Sequence, residues 1–126
     1  MLANKETIAN LAVKDIETAR RFYEDTLGLT QVASECEDVL TFQSGASQFF
    51  VYRSDFAGSN QATAMSWAVG EEIEQIAKTL AAKGVRFEHY PDMPDTQLEG
   101  DVHHSQGMRI AWFKDPDGNI LSLVSG

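Results

Sequence analysis

The sequence predicts an α+β fold built from two copies of one strand-helix-strand-strand-strand unit, and three observations carry the prediction. Leu11-Ala12-Val13, a helix-like run and Gly28-Leu29 return in the same register as Trp67-Ala68-Val69, a second helix-like run and Gly84-Val85. Both runs place apolar residues three to four positions apart, the period of a helix with one buried face. Short apolar segments bounded by Gly, Ser, Asn and Pro follow each run, as strands separated by turns would. A chain of 126 residues is long enough for one well-buried core, so the expectation is a single domain. Module one spans about 6–54, a linker about 55–62 and module two about 63–126.

Each element follows from its residues. A first strand covers 7–13, and Asp15 stands where an N-cap carboxylate accepts hydrogen bonds from the free N–H groups of a helix. In that helix Ile16, Ala19, Tyr23 and Leu27 share a face, with Phe22 at its margin and Glu17, Arg20, Arg21 and Glu24 largely elsewhere. Gly28 ends it at a left-handed cap position. Strands follow over 29–34, 39–42 and 48–53, the last two joined by Ser44-Gly45-Ala46-Ser47, and the small and polar residues 56–60 form the linker. The second unit opens with a strand over 64–69 and a helix whose Ile73, Ile76, Ala77 and Leu80 form the apolar stripe, ending at Gly84. A strand over 85–89 comes next. Residues 91–106 contain two prolines and little periodicity, which marks a candidate lid. Strands over 109–113 and 119–124 are then paired through Asp115-Pro116-Asp117-Gly118.

Composition narrows the partners. A net charge of −9 opposes any electrostatic hold on nucleic acid or an anionic membrane surface. The N-terminal residues lack the apolar core of a signal peptide, and no stretch approaches the roughly 20 apolar residues of a membrane span, so a cytoplasmic location is expected. Cys36 is the only cysteine, which excludes an internal disulfide and fits a reducing compartment. Glu35, Glu37 and Asp38 around it oppose thiolate formation, so it is not assigned as a nucleophile. No phosphate-binding glycine loop, dinucleotide fingerprint or serine nucleophile elbow is present.

The closing Phe113-Lys114-Asp115-Pro116-Asp117-Gly118-Asn119-Ile120-Leu121 resembles the last hairpin of the vicinal oxygen chelate superfamily, which includes glyoxalase I, extradiol dioxygenases and bleomycin resistance proteins. Leu11-Ala12-Val13-Lys14-Asp15, Ala19, Phe22-Tyr23 and Leu27-Gly28-Leu29 resemble its opening strand and helix, so the likeness covers nearly the whole chain. It implies paired βαβββ modules whose curved mixed sheets form a cup over a small ligand, with helices packed outside. In catalytic members the cup holds a divalent metal through inward carboxylates or imidazoles. The positions that the resemblance assigns to those ligands carry Ile8, Ala64 and Ser122 here, and Phe50 and Tyr52 are the candidates for the fourth. None is a standard ligand. The chain is therefore expected to hold no metal and to need no cofactor, and no catalytic residue is assigned.

Strand alternation sends Ile8, Asn10 and Ala12 to one face, Ala64, Ser66 and Ala68 to the equivalent face, and Ile120, Ser122 and Val124 to join them. The expected ligand-binding cup is thus Ile8, Asn10, Phe50, Tyr52, Ala64, Ser66, Ile120 and Ser122. Small and weakly polar, these residues leave volume for a partly apolar ligand; the competing reading is that the alanines are small because two faces close tightly. Asn10 is expected as an inward amide that needs water or a ligand, with a structural hydrogen-bond role as the equal alternative. His89, His103 and His104 are candidate rim residues, although neighbouring histidines on an extended segment diverge and rarely chelate one ion.

The leading expectation is a metal-independent binding protein that sequesters a small organic molecule, and a homodimer. The alternative is a divergent metal-dependent lyase or dioxygenase that recruits its ion through the histidines. A regulatory domain with a self-filled cup is a third reading.

Overall fold

A computed structural model describes residues 1–32 and 37–125, and the chain divides into two compact units, Met1–Gly58 and Ser59–Gly126. Unit one runs β1 (Ala9–Val13), α1 (Ile16–Arg21) with a π-helical turn at Phe22–Thr26, β2 (Thr30–Val32), β3 (Val39–Ser44) and β4 (Ser47–Arg53). Its sheet has the order β1-β4-β3-β2, with β1 parallel to β4 and the other pairs antiparallel. The Asp15 carboxylate caps α1, accepting from the Glu17 N–H at 3.1 Å and the Thr18 hydroxyl at 2.8 Å. Those bonds, the Thr18 hydroxyl first, hold its pKa below the ordinary value. At the other end Gly28 takes a φ of +76° and lets the Leu29 N–H reach back to the Tyr23 carbonyl at 2.9 Å.

Alternation places Leu11, Val13, Leu40, Phe42, Phe49 and Val51 on the helix-facing side, all buried. The fully buried Tyr23 binds them together, its ring centroid 5.6 Å from Phe42 and 5.8 Å from Phe49. These aromatic side chains are the largest in the unit's core and bury a large apolar area each. The strand expected over 29–34 is seen at Thr30–Val32; its last two positions, and Cys36, lie outside the described residues.

Unit two repeats the plan with one insertion. It runs β5 (Thr63–Ala68), a 3-10 turn (Gly70–Glu72), α2 (Ile73–Ala82), β6 (Phe87–Glu88), β7 (Thr96–Glu99), β8 (Val102–Ser105), β9 (Met108–Lys114) and β10 (Ile120–Val124). As β1 lies parallel to β4 in unit one, β5 lies parallel to β10, and β9 pairs antiparallel with β10. The other edge of β9 is shared: β8 covers its first half and β6 its second. Helix α2 packs against β8 and β9, and Ile73, Ala77 and Leu80 are buried with Phe87, Ala111, Phe113, Leu121 and Leu123. Arg109 ties helix to sheet. Its guanidinium donates to both Glu74 carboxylate oxygens at 2.8 and 2.9 Å and to Glu71 at 2.8 Å.

The expected lid over 91–106 is corrected by this structure. Most of it is the β7–β8 hairpin, paired from Thr96↔Ser105 to Glu99↔Val102 around Gly100, whose φ is +62°. Its strands are short, and Gln97, Glu99, His103 and His104 occupy both parities, so an alternating apolar signal never develops. The Asp-Pro-Asp-Gly turn forms as expected. The buried Asp115 carboxylate accepts from the N–H groups of Asp117 and Asn119, each at 2.9 Å, and from the Asn119 amide at 2.8 Å.

Candidate functional site

In unit one the residues expected to face a ligand share the side of the sheet away from α1. Asn10 lies opposite Phe50 and Ala12 opposite Tyr52, with Thr41 and Val39 beside them on β3. Ile8 immediately precedes β1 and is 45 % exposed. Asn10 is exposed on that face, and its side-chain N–H donates to the Ile8 carbonyl at 3.2 Å, the structural hydrogen-bond role that the sequence left open. A local acceptor therefore satisfies it without a ligand. The side chains of Ile8, Phe50 and Tyr52 offer no carboxylate or imidazole to a metal ion.

In unit two Ser66, Ile120 and Ser122 come together on the face away from α2. Ser66 and Ser122 are register partners in the parallel pair, and their hydroxyls lie 2.6 Å apart. Ala64 does not hold the place that alternation gives it. The ladder steps from Thr63↔Ile120 to Met65↔Leu121, which leaves Ala64 as the extra residue of a bulge and puts Thr63 opposite Ile120. The consequence is chemical, because a hydroxyl replaces a methyl there: Thr63 Oγ1 accepts the indole N–H of Trp112 at 3.1 Å.

Trp112 is the register partner of Ser122 on β9 and belongs to an aromatic group that the sequence did not reveal. Its ring centroid lies 5.3 Å from that of Tyr90 at 78° and 4.9 Å from that of His103 at 76°. Gln61, Ala62, Thr63, Tyr90, Met93, Trp112 and Ile120 line an open pocket of about 250 Å³. A largely apolar wall with a hydroxyl and an amide is the usual constitution of a small-molecule site. Trp112 was within reach of sequence reasoning, since it alternates with the core residues Ala111 and Phe113. Tyr90 was not, because it lies beyond the end of β6.

The histidines do not form a common rim. His103 is fully buried. Its Nε2 accepts the Tyr90 backbone N–H at 2.9 Å, which assigns the ring proton to Nδ1. Burial holds its pKa below the ordinary imidazole value; the Ile110 backbone partly offsets this and the nearby His89 adds to it. Nδ1 nevertheless lacks a hydrogen bond of good geometry, so the Ile110 contribution is a weak one. His89 Nε2 lies 2.8 Å from Asp101, and His104 Nε2 lies 3.2 Å from Glu99. His103 lies opposite Ile110 and its neighbour His104 opposite Arg109, so their side chains leave the strand on opposite faces. Among the described residues no three His, Cys, Asp or Glu side chains gather into a group fit to hold a metal ion. The donor set thus does not match the divalent centre that the resemblance implies for catalytic members.

Among curated proteins none matches this sequence. Solved structures do. The chain is similar to a glyoxalase family protein from Enterococcus faecalis at 18% identity and a TM-score of 0.73, covering 98% of this chain and 99% of that one. It is similar to the fosfomycin resistance protein FosX from Listeria monocytogenes at 16% identity and 0.72, covering 98% and 93%. An integron cassette protein from the Halifax Harbour sewage outfall metagenome aligns at 20% and 0.70, covering 97% and 99%. At such identities these likenesses establish the fold. The family model for the Glyoxalase/Bleomycin resistance protein/Dioxygenase superfamily matches residues 7–123. Because that match spans both βαβββ modules, the chain belongs to the glyoxalase/bleomycin resistance protein/dioxygenase superfamily.

Proposed function

We propose that this protein is a metal-independent binding member of its superfamily, which sequesters a small, partly apolar or aromatic organic molecule without changing it chemically. The observation that carries the reading is the chemistry of the expected ligand positions. Ile8, Phe50, Tyr52 and Ala64 supply no carboxylate or imidazole, and the Ser122 hydroxyl is engaged with Ser66. The pocket beside Trp112 supplies what a binding protein needs instead, an apolar wall with few polar groups. The alternative, a lyase or dioxygenase that recruits its ion through His89, His103 and His104, is less well supported because each imidazole has a different partner.

The test is isothermal titration of chelator-treated protein against a panel of antibiotics and aromatic metabolites, with recovery of the bound compound. Binding that survives the chelator and returns the compound intact is the expected result. Metal-dependent turnover, or stoichiometric zinc, nickel, manganese or iron in untagged protein, would establish the alternative.

We further propose a homodimer in the cytoplasm. The lone Cys36 fits a reducing compartment, and two-fold dimers are the commonest assembly of soluble chains. Light scattering on a sizing column distinguishes one copy from two.

A further inference from the structure

We infer that the aromatic corner of unit two receives an organic ammonium ion, a quaternary or heavily alkylated amine head group. The inference rests on the proposal that this pocket binds a small molecule and names its chemical class. Tyr90 and Trp112 both line the pocket, and their ring planes stand at 78° with centroids 5.3 Å apart. Both rings border one volume with their planes near a right angle, so an ion there meets aromatic surface on two sides, and an alkylated cation is the ligand that aromatic faces attract most strongly. Ala62, Met93 and Ile120 complete the wall and give the alkyl groups apolar contact.

The corner is already ordered. The Trp112 N–H is fixed on Thr63, and the Tyr90 backbone is fixed on His103, so binding does not have to immobilise these rings. His103, packed against both rings, is neutral, because its Nε2 lone pair is used as an acceptor. It therefore sets no positive charge behind them.

The charge around the pocket has the complementary sign. None of its lining residues carries a formal charge, but Asp92 and Asp95 lie within two positions of Met93, and Glu88 is the register partner of Trp112. Lys114, two residues beyond Trp112, opposes them and lies 3.6 Å from Glu88. Carboxylates on residues that flank the pocket lining favour a cation through the field they create without demanding an ion pair. That suits a head group whose alkyl shell prevents hydrogen bonding.

The test titrates the full chain with tetramethylammonium and choline chlorides, with the uncharged choline isostere 3,3-dimethylbutan-1-ol and with indole, at constant ionic strength. Calorimetry and tryptophan fluorescence are the readouts. Choline is expected to bind about tenfold more tightly than its isostere, to lose that advantage in Trp112→Leu and Tyr90→Leu, and to keep it in Tyr90→Phe. Asp92→Asn/Asp95→Asn, which leaves the wall intact, should weaken choline and leave indole unchanged. Circular dichroism identifies any variant that fails to fold, and the Tyr90→Phe and Asp92→Asn/Asp95→Asn arms then decide. Equal binding of choline and its isostere overturns the inference. Indole binding that depends on Trp112, with no choline binding, overturns it too while leaving the binding function standing. Silence from every compound in these titrations overturns the inference, and the same silence across the wider ligand panel removes the binding function with it.

Discussion

The backbone N–H of Tyr90 donates to Nε2 of His103 across 2.9 Å, and this one bond joins the end of β6 to the middle of β8. Protonating Nε2 would abolish it. Because burial depresses the His103 pKa, the unfolded chain binds a proton that the folded chain refuses. Stability is therefore full above the unfolded imidazole pKa of about 6.5 and falls as pH drops below it toward the lower folded value. Urea midpoints measured from about pH 8 to about pH 5 should be level and then decline. The part of the decline due to His103 disappears in His103→Gln, which keeps an acceptor for Tyr90 and cannot be protonated. An unchanged pH profile in that variant would refute the assignment.

Asp115 holds the final turn through three accepted hydrogen bonds, and it is only 4 % exposed. Asp115→Ala leaves the Asn119 N–H and amide without their buried acceptor. The expected loss is about 3 kcal/mol, from unpaired buried donors and charge-assisted bonds. Asp115→Asn, which keeps one carbonyl acceptor, should lose about half as much. Chemical denaturation of the two variants checks the order.

Glu74 and Arg109 perturb each other in opposite directions. The guanidinium hydrogen bond holds the Glu74 carboxyl below the ordinary glutamate value, and Glu74, followed by Glu71, raises Arg109. The stabilisation is present above the unfolded glutamate pKa and is lost as pH falls through the lower folded one. In a carbon-13 titration the Glu74 midpoint should be depressed, and Arg109→Gln should return it toward about 4.3. A midpoint unmoved by that substitution would show that the ion pair is absent in solution.

The modular fold was legible because its signals are local and repeated. Asp15, Gly28 and Gly84 mark helix ends through backbone chemistry that needs no distant partner. The stripes from Ile16 to Leu27 and from Ile73 to Leu80 have the period of a packed face. The β7–β8 hairpin was hidden because Leu98 and Val102 are its only large aliphatic residues, and β8 is specified by pairing with β9 and β7 by pairing with β8. The site was less legible than the frame. Trp112 has the parity opposite to the core residues around it, but Tyr90 is positioned by a hydrogen bond thirteen residues away in sequence. Such a constraint leaves no periodic trace. Asn10 stayed ambiguous because strand parity says which face a residue takes and nothing about how deeply that face is covered.

The bulge at Ala64 makes strand parity itself adjustable. Removing Ala64 would close the ladder into regular alternation with Thr63 still opposite Ile120, whereas removing Thr63 instead would set the Ala64 methyl there and take away the hydroxyl that holds the indole. Insertions and deletions in β5 are thus a route by which descendants of this fold exchange the chemistry at the Trp112 wall while every core side chain stays in place.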